Sequence, residues 1–254
     1  SSIHADIRDD ETLRDAVSAA DVVFHEAAQV SVQRSINDPE ASRAVNVDPL
    51  LTILDAARDT DTRVVFASSA AVYGHPQSLP ISESHPKAPT SPYGLEKLTA
   101  DHYCRLYHDR YDVDAVALRY FNAYGPRQQA GDYSGVISIF RDQARAGDAL
   151  TIEGDGTQTR DFIHVDDIVD ANILAATTDK TSGEAFNIGT GNSISIIELA
   201  ATIRDATNSS SDIVHVDSRE GDIEHSEADI QKARDVLGFD PTYHITEGIE
   251  AYLG

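Results

Sequence analysis

Tyr93 and Lys97 stand four residues apart in Ser91-Pro92-Tyr93-Gly94-Leu95-Glu96-Lys97, a spacing that on a helix puts the phenol and the ammonium on one face. A free phenol has a pKa near 10, and bringing it to near 7 takes roughly 4 kcal/mol of preferential phenolate stabilisation. A lysine one turn away is a source of such stabilisation, and Tyr93 could then act as a general base on a hydroxyl group. Tyr-x-x-x-Lys is common on helices, so the pair alone carries little weight. A second feature adds to it. Phe66-Ala67-Ser68-Ser69-Ala70-Ala71-Val72-Tyr73-Gly74 puts two hydroxyls at the end of an apolar run. If that run is a buried parallel strand, the hydroxyls lie at the carboxyl edge of a sheet, where open α/β sheets bind ligands. Ser68 or Ser69 would then hydrogen-bond a reacting oxygen and align it with Tyr93; a lone serine there is a strand-end cap.

The elements needed to position these groups can be read around them. Asp21-Val22-Val23-Phe24-His25, Arg63-Val64-Val65-Phe66-Ala67 and Ala115-Val116-Ala117-Leu118-Arg119-Tyr120-Phe121 are short, β-branched and continuously apolar, as suits strands buried on both faces of a parallel sheet. Helical patterns separate them. One spans 46–58, with Leu50, Leu51, Leu54 and Ala57, and the other spans 92–110, with Ser91 as N-cap and Pro92 at the first helical position. This alternation predicts an α/β chain built on a doubly wound parallel sheet. After Gly125-Pro126-Arg127 the rhythm breaks into a Gly/Asp-rich stretch ending in Gly154-Asp155-Gly156-Thr157-Gln158-Thr159-Arg160-Asp161, where a second, smaller α/β lobe begins. Beyond it the pattern predicts strands over 162–165 and 185–189 and helices over 166–177, 196–206 and 230–237. There are no internal repeats.

At 254 residues the chain can bury a full core without disulfides, and a single cysteine, Cys104, excludes an intramolecular disulfide framework. Cys104 is expected to be a small core residue. No apolar run reaches membrane-span length and the opening residues carry no signal-peptide pattern, so a cytoplasmic protein is expected. Asp and Glu number 43 against 20 Lys and Arg, a net charge of −23 spread along the chain. Nucleic-acid binding needs a basic footprint, and none is visible. The only lysines are Lys87, Lys97, Lys180 and Lys232. High salt screens the self-repulsion of so acidic a surface, which points to a halophilic source. His4, His25, His164 and His225 make no metal-ligand spacing, so no metal is expected.

Further segments fall into a known order. They run through Ala5-Asp6-Ile7-Arg8-Asp9, His25-Glu26-Ala27-Ala28-Gln29, Asn46-Val47-Asp48, the Ser68 and Tyr93 segments above and Arg119-Tyr120-Phe121-Asn122-Ala123-Tyr124-Gly125-Pro126-Arg127-Gln128. They continue in Arg160-Asp161-Phe162-Ile163-His164-Val165-Asp166-Asp167, Asn187-Ile188-Gly189-Thr190-Gly191 and Arg219-Glu220-Gly221-Asp222. Each is weak alone, but in this order over nearly the whole chain they resemble the extended short-chain dehydrogenases/reductases of the nucleotide-sugar epimerase/dehydratase group, most closely UDP-hexose 4-epimerases. The resemblance implies a Rossmann-type domain over 1–126 and 162–190 that binds NAD, and a sugar-nucleotide lobe over 127–161 and 191–254. It makes Ser69, Tyr93 and Lys97 the catalytic triad, with Ser69 preferred to Ser68 because it stands four residues before Tyr73. It assigns Asp6 and Ile7 to the adenine, Ala27 and Ala28 to the cofactor lining, Asn46 and Tyr120 to the nicotinamide half, and Lys97 also to the nicotinamide ribose. Asn122, Arg160, Arg219 and Asp222 would hold a UDP-sugar. Without the resemblance, Arg160 and Arg219 read as surface ion-pair partners.

The reaction so implied is redox-neutral 4-epimerisation through a 4-keto sugar, with the charge of the nicotinamide ring adding to that of Lys97 in drawing down the phenol. Dehydratase relatives carry an Asp-Glu pair after the catalytic hydroxyl, where this chain has Ala70-Ala71, which argues against elimination. A decarboxylase or a reductase shares the triad and remains open, as does a non-catalytic sugar-nucleotide-binding remnant. The resemblance also aligns Ser1 to Asp9 with the family's third strand. The first βαβ unit, with its Gly-rich turn, is then absent from this polypeptide, and weak NAD binding by these 254 residues is expected. Ser226, seven residues after Arg219, would flank the sugar's C2 substituent and leave room for an N-acetyl group. The helices over 46–58 and 92–110 match the surface where relatives form homodimers.

Overall fold

The computed structural model describes residues 2–128, 135–179, 181–218 and 221–253. The first half runs α1 (Asp10–Ser18), β1 (Val22–His25), α2 (Val32–Asn37), α3 (Pro39–Asn46), α4 (Asp48–Arg58), β2 (Arg63–Ser69), α5 (Pro92–Tyr111), β3 (Ala115–Tyr120) and β4 (Asn122–Tyr124). The second half runs α6 (Val136–Ala146), β5 (Leu150–Glu153), β6 (Thr159–His164), α7 (Val165–Thr177), β7 (Ala185–Ile188), β8 (Ser193–Ser195), α8 (Ile196–Ala206), β9 (Ile213–Val216), α9 (Gln231–Leu237) and α10 (Ile245–Leu253).

β1, β2, β3 and β7 form a four-stranded parallel sheet in the order β1-β2-β3-β7. Alternate residues face opposite sides. Val64, Phe66, Ala115 and Ala117 pack against Leu50, Ile53, Leu54 and Ala57 of α4 and Ala100 and Cys104 of α5. Val65, Val116, Leu118, Phe186 and Ile188 pack against Ile168, Ala171 and Ala175 of α7 and Ala233 and Leu237 of α9. Each fully buried Leu, Ile or Phe contributes about 1.5–3 kcal/mol relative to exposure, so both faces hold the sheet. This is the expected doubly wound α/β arrangement. The remaining strands make a three-stranded sheet, β4-β6-β8, and a β5-β9 pair, around a separate apolar cluster that includes Phe140, Ile152, Leu199 and Ile249.

Several boundaries differ from the sequence reading. Residues 2–9 form no strand. A strand exists by pairing, and among the described residues β1 pairs only with β2. The expected helix over 46–58 is α4 from Asp48 onward, while Asn46 ends α3; Pro49, which has no N–H for a continuous ladder, sits in the first turn of α4. β6 begins at Thr159, and His164 caps α7 so that Val165 is already helical. Inside the Gly/Asp-rich stretch lie α6 and β5, short elements whose few apolar residues were masked by polar neighbours.

Candidate active site

β2 delivers Ser69 to the carboxyl edge of the sheet, where its Oγ accepts the Ala71 N–H at 3.2 Å and starts a 3₁₀ turn over Ala70–Val72. α5 begins beside this turn. Ser91 caps it by accepting the Gly94 N–H at 3.1 Å, and Pro92 opens the first turn. Only glycine fits at 94, because a Cβ there would stand 2.7 Å from the Ala71 carbonyl oxygen. This contact brings Tyr93 to the strand end. The Tyr93 N–H, a first-turn donor without a helical partner, goes to Ser35 Oγ at 3.1 Å. Lys97 is buried, donates to the Ala67 carbonyl at 2.7 Å, and its Nζ lies 4.9 Å from the Phe66 ring centre and 6.0 Å from that of Tyr93.

Burial pulls the Lys97 ammonium down to about 8, against the raising effects of Glu26 and Glu96. The Tyr93 phenol is pushed up by burial, with a hydrogen bond from Ser69 opposing and Glu96 adding to the rise. Spacing places Lys97 beside the phenol, and burial, which spacing does not show, raises it. The ammonium is held on the Ala67 carbonyl and over Phe66. Ser68 and Ser69 have divided their tasks: Ser68 is buried and donates to Asp101 at 3.2 Å, while Ser69 is half-buried at the edge.

The site rests on a buried ion pair that sequence reasoning missed. Arg119 binds Asp101 through two nitrogens, at 2.8 and 3.0 Å, with side chains 1% and 0% exposed. Arg119 also donates to the Tyr73 hydroxyl, which donates to Asn187 Oδ1 at 2.6 Å. β2, β3, β7 and α5 are thereby tied together next to Ser69 and Lys97. Asp101 follows Lys97 by one turn, and that spacing was the available signal.

On the β1 side, Asn46 is buried and its amide satisfies both main-chain groups of Gln29, accepting the N–H at 2.8 Å and donating to the carbonyl at 2.9 Å. This fixes the loop that carries Ala27 and Ala28. Tyr120 donates to Glu26 at 3.0 Å and receives the Asn172 amide at 2.7 Å. Burial raises the Glu26 carboxyl, with Tyr120 and Lys97 opposing, and holds His25 neutral at about 4, helped by repulsion from Lys97. Asp6 lies apart on the surface before α1, where Arg8 forks its carboxylate and holds it well below the usual range; Ile7 is half-buried beside it.

On the other side, Asn122 donates to the Asp161 carbonyl at 2.8 Å. Asp161 is itself a buried hub that accepts from Thr190, Gly191 and Ala228 and so ties the segments around β6 together. Arg160 is paired with Asp222 at 2.7 Å. A cleft of about 300 Å³ lies between residues 75–79 and Asp222, Glu224 and His225. Ser226 is buried next to it, its N–H on the Thr159 carbonyl at 3.1 Å. Arg219 lies outside the described residues.

Residues 1–189 match the NAD dependent epimerase/dehydratase family. The chain belongs to this family. It is 39% identical over 231 residues to a UDP-glucose 4-epimerase of Mycolicibacterium smegmatis, covering 90% of this chain and 74% of that one. A UDP-N-acetylglucosamine 4-epimerase from Methanobrevibacter ruminantium M1, solved with UDP-N-acetylmuramic acid, superposes with a TM-score of 0.94 at 37% identity, over 99% of this chain and 81% of that one. A UDP-glucuronic acid 4-epimerase from Bacillus cereus, solved with UDP-glucuronic acid and NAD, superposes with a TM-score of 0.91 at 33% identity, over 99% and 79%. The fold is thus that of the NAD-dependent UDP-sugar epimerases, and NAD is the cofactor.

The described residues fit the nicotinamide half of NAD. Ala27 and Ala28 leave the sheet edge open, and an ammonium carries three donors, of which Lys97 gives one to Ala67. Among the described residues no helix is long and apolar enough to cross a membrane.

Proposed function

We propose that the protein interconverts the C4 epimers of a UDP-hexose through a 4-keto intermediate, with UDP-glucose and UDP-galactose and their N-acetylhexosamine counterparts as substrates. The observation that carries this reading is the meeting of the Ser69 hydroxyl, the half-buried Tyr93 phenol and the buried Lys97 ammonium at one sheet edge. Tyr93 takes the 4-hydroxyl proton, Ser69 hydrogen-bonds the C4 oxygen, and Lys97 keeps positive charge beside the phenol as it ionises. Bound NAD supplies the hydride acceptor and donor at C4. Tyr93 then returns its proton to the oxygen of the opposite epimer, so the cycle closes with no net oxidation. Asp6, Ile7, Ala27, Ala28, Asn46 and Tyr120, with Tyr93 and Lys97, would hold the cofactor.

Arg160 and Arg219 take the UDP diphosphate, for which their planar forks are suited, while Asn122, Asp222 and Ser226 hold the rest of the sugar nucleotide. Arg160 must exchange Asp222 for phosphate oxygens to do so. Ala70 and Ala71 offer no acid after Ser69, which supports epimerisation over elimination. Leu95, Leu106 and Tyr111, exposed on α5, support a homodimer through this helix. The test is to incubate the protein with NAD and UDP-glucose and follow the anomeric proton signals. Appearance of UDP-galactose supports the proposal, and a decarboxylated or dehydrated product from any UDP-hexose or its uronic acid overturns it.

A further inference from the structure

Glu96 lies within the Tyr93–Lys97 turn yet faces away from water, 7% exposed. Its Oε2 accepts two short hydrogen bonds, from Ser42 Oγ and from Asn46 Nδ2, each 2.7 Å. Both donors are neutral and both sit on α3, which packs against α5. Asn46 is also the residue that holds both main-chain groups of Gln29, and Gln29 Nε2 reaches Ser42 Oγ at 3.4 Å and the Ser31 carbonyl at 3.0 Å. The carboxylate is therefore the point at which the catalytic helix grips α3, and through α3 the loop after β1.

We propose that Glu96 is a positioning residue: it locks Asn46 and the 26–31 loop onto the helix that carries Tyr93 and Lys97. This rests on the epimerase reading given above.

Two substitutions test the lock. Glu96→Gln keeps a carbonyl oxygen that can accept from Ser42 and Asn46, whereas Glu96→Ala removes it. Exchange of the Gln29 amide with solvent reports the Asn46 lock and needs no turnover. Glu96→Ala is expected to speed Gln29 exchange roughly tenfold or more, and Glu96→Gln to restore it close to the parent. Unmoved Gln29 exchange in Glu96→Ala, or exchange in Glu96→Gln as fast as in Glu96→Ala, overturns the assignment. Failure of the epimerase reading would leave these outcomes intact and show only as absent turnover.

Discussion

The two sides of the candidate site are built differently. At the sheet edge, Tyr93 and Lys97 are fixed by buried contacts to Ser35, the Ala67 carbonyl and, one layer down, the Arg119–Asp101 pair. At β6, Arg160, 14% exposed, is held by Asp222, 41% exposed, in a pair that water reaches from the Asp222 side. The groups proposed to react are thus set before substrate arrives, while the group proposed for the diphosphate sits in a partly exposed ion pair open to exchange. Buried charges have no partner to move to; exposed ones do.

The sharpest way to break this picture is at the phenol. Tyr93→Phe removes the phenol proposed to take the hydroxyl proton, and turnover is expected to fall about 10²–10⁴-fold with the fold unchanged by circular dichroism. Turnover within a few-fold of the parent would remove Tyr93 from the chemistry.

The next contrast compares the two ion pairs by denaturant unfolding. Asp101→Ala leaves Arg119 buried without its counter-charge and is expected to cost about 3–5 kcal/mol. Asp222→Ala is expected to cost under about 1 kcal/mol, since its pair is screened. Equal losses would mean that the two sides are not built on different principles.

A smaller effect is expected from Arg160→Gln, which removes a charged, forked donor worth about 1.5–3 kcal/mol to an ionised partner. KM for the UDP-sugar should rise roughly 10–100-fold, with kcat changed far less. A fall in kcat at constant KM would place Arg160 with the reacting groups instead.

How much of this was legible beforehand follows the same division. The parallel strands were readable because both of their faces are apolar, and Ser91-Pro92 marked the start of α5 by capping chemistry that is local to the sequence. Tyr93 and Lys97 were readable because they share one helix. Glu96 and Asp101 were not, because a carboxylate in a helix looks solvent-facing until its partners Ser42, Asn46 and Arg119, 54, 50 and 18 residues away, are brought to it. For the Tyr93 phenol spacing gave the correct neighbour, but not the burial that raises it. Between residues 127 and 161, α6 and β5 hide in a polar stretch whose few apolar residues find each other only in the folded cluster.

The smallest expected effect concerns Ser226. Its side chain is buried beside the cleft, so Ser226→Tyr should fill space that an N-acetyl group would use and lower kcat/KM for N-acetylhexosamine substrates by about 10-fold or more, with plain hexoses changed less. Equal effects on both substrate pairs would show that Ser226 does not face the sugar.

The most direct test of the central claim follows the hydrogen at C4. UDP-glucose carrying deuterium at C4 is incubated with the protein and NAD, and the product is analysed by NMR and mass spectrometry. Epimerisation by proton removal at Tyr93 and hydride return within the site predicts UDP-galactose that keeps its deuterium at C4. Product that has exchanged that deuterium for solvent hydrogen, or that retains the original C4 configuration with a changed carbon skeleton, contradicts it.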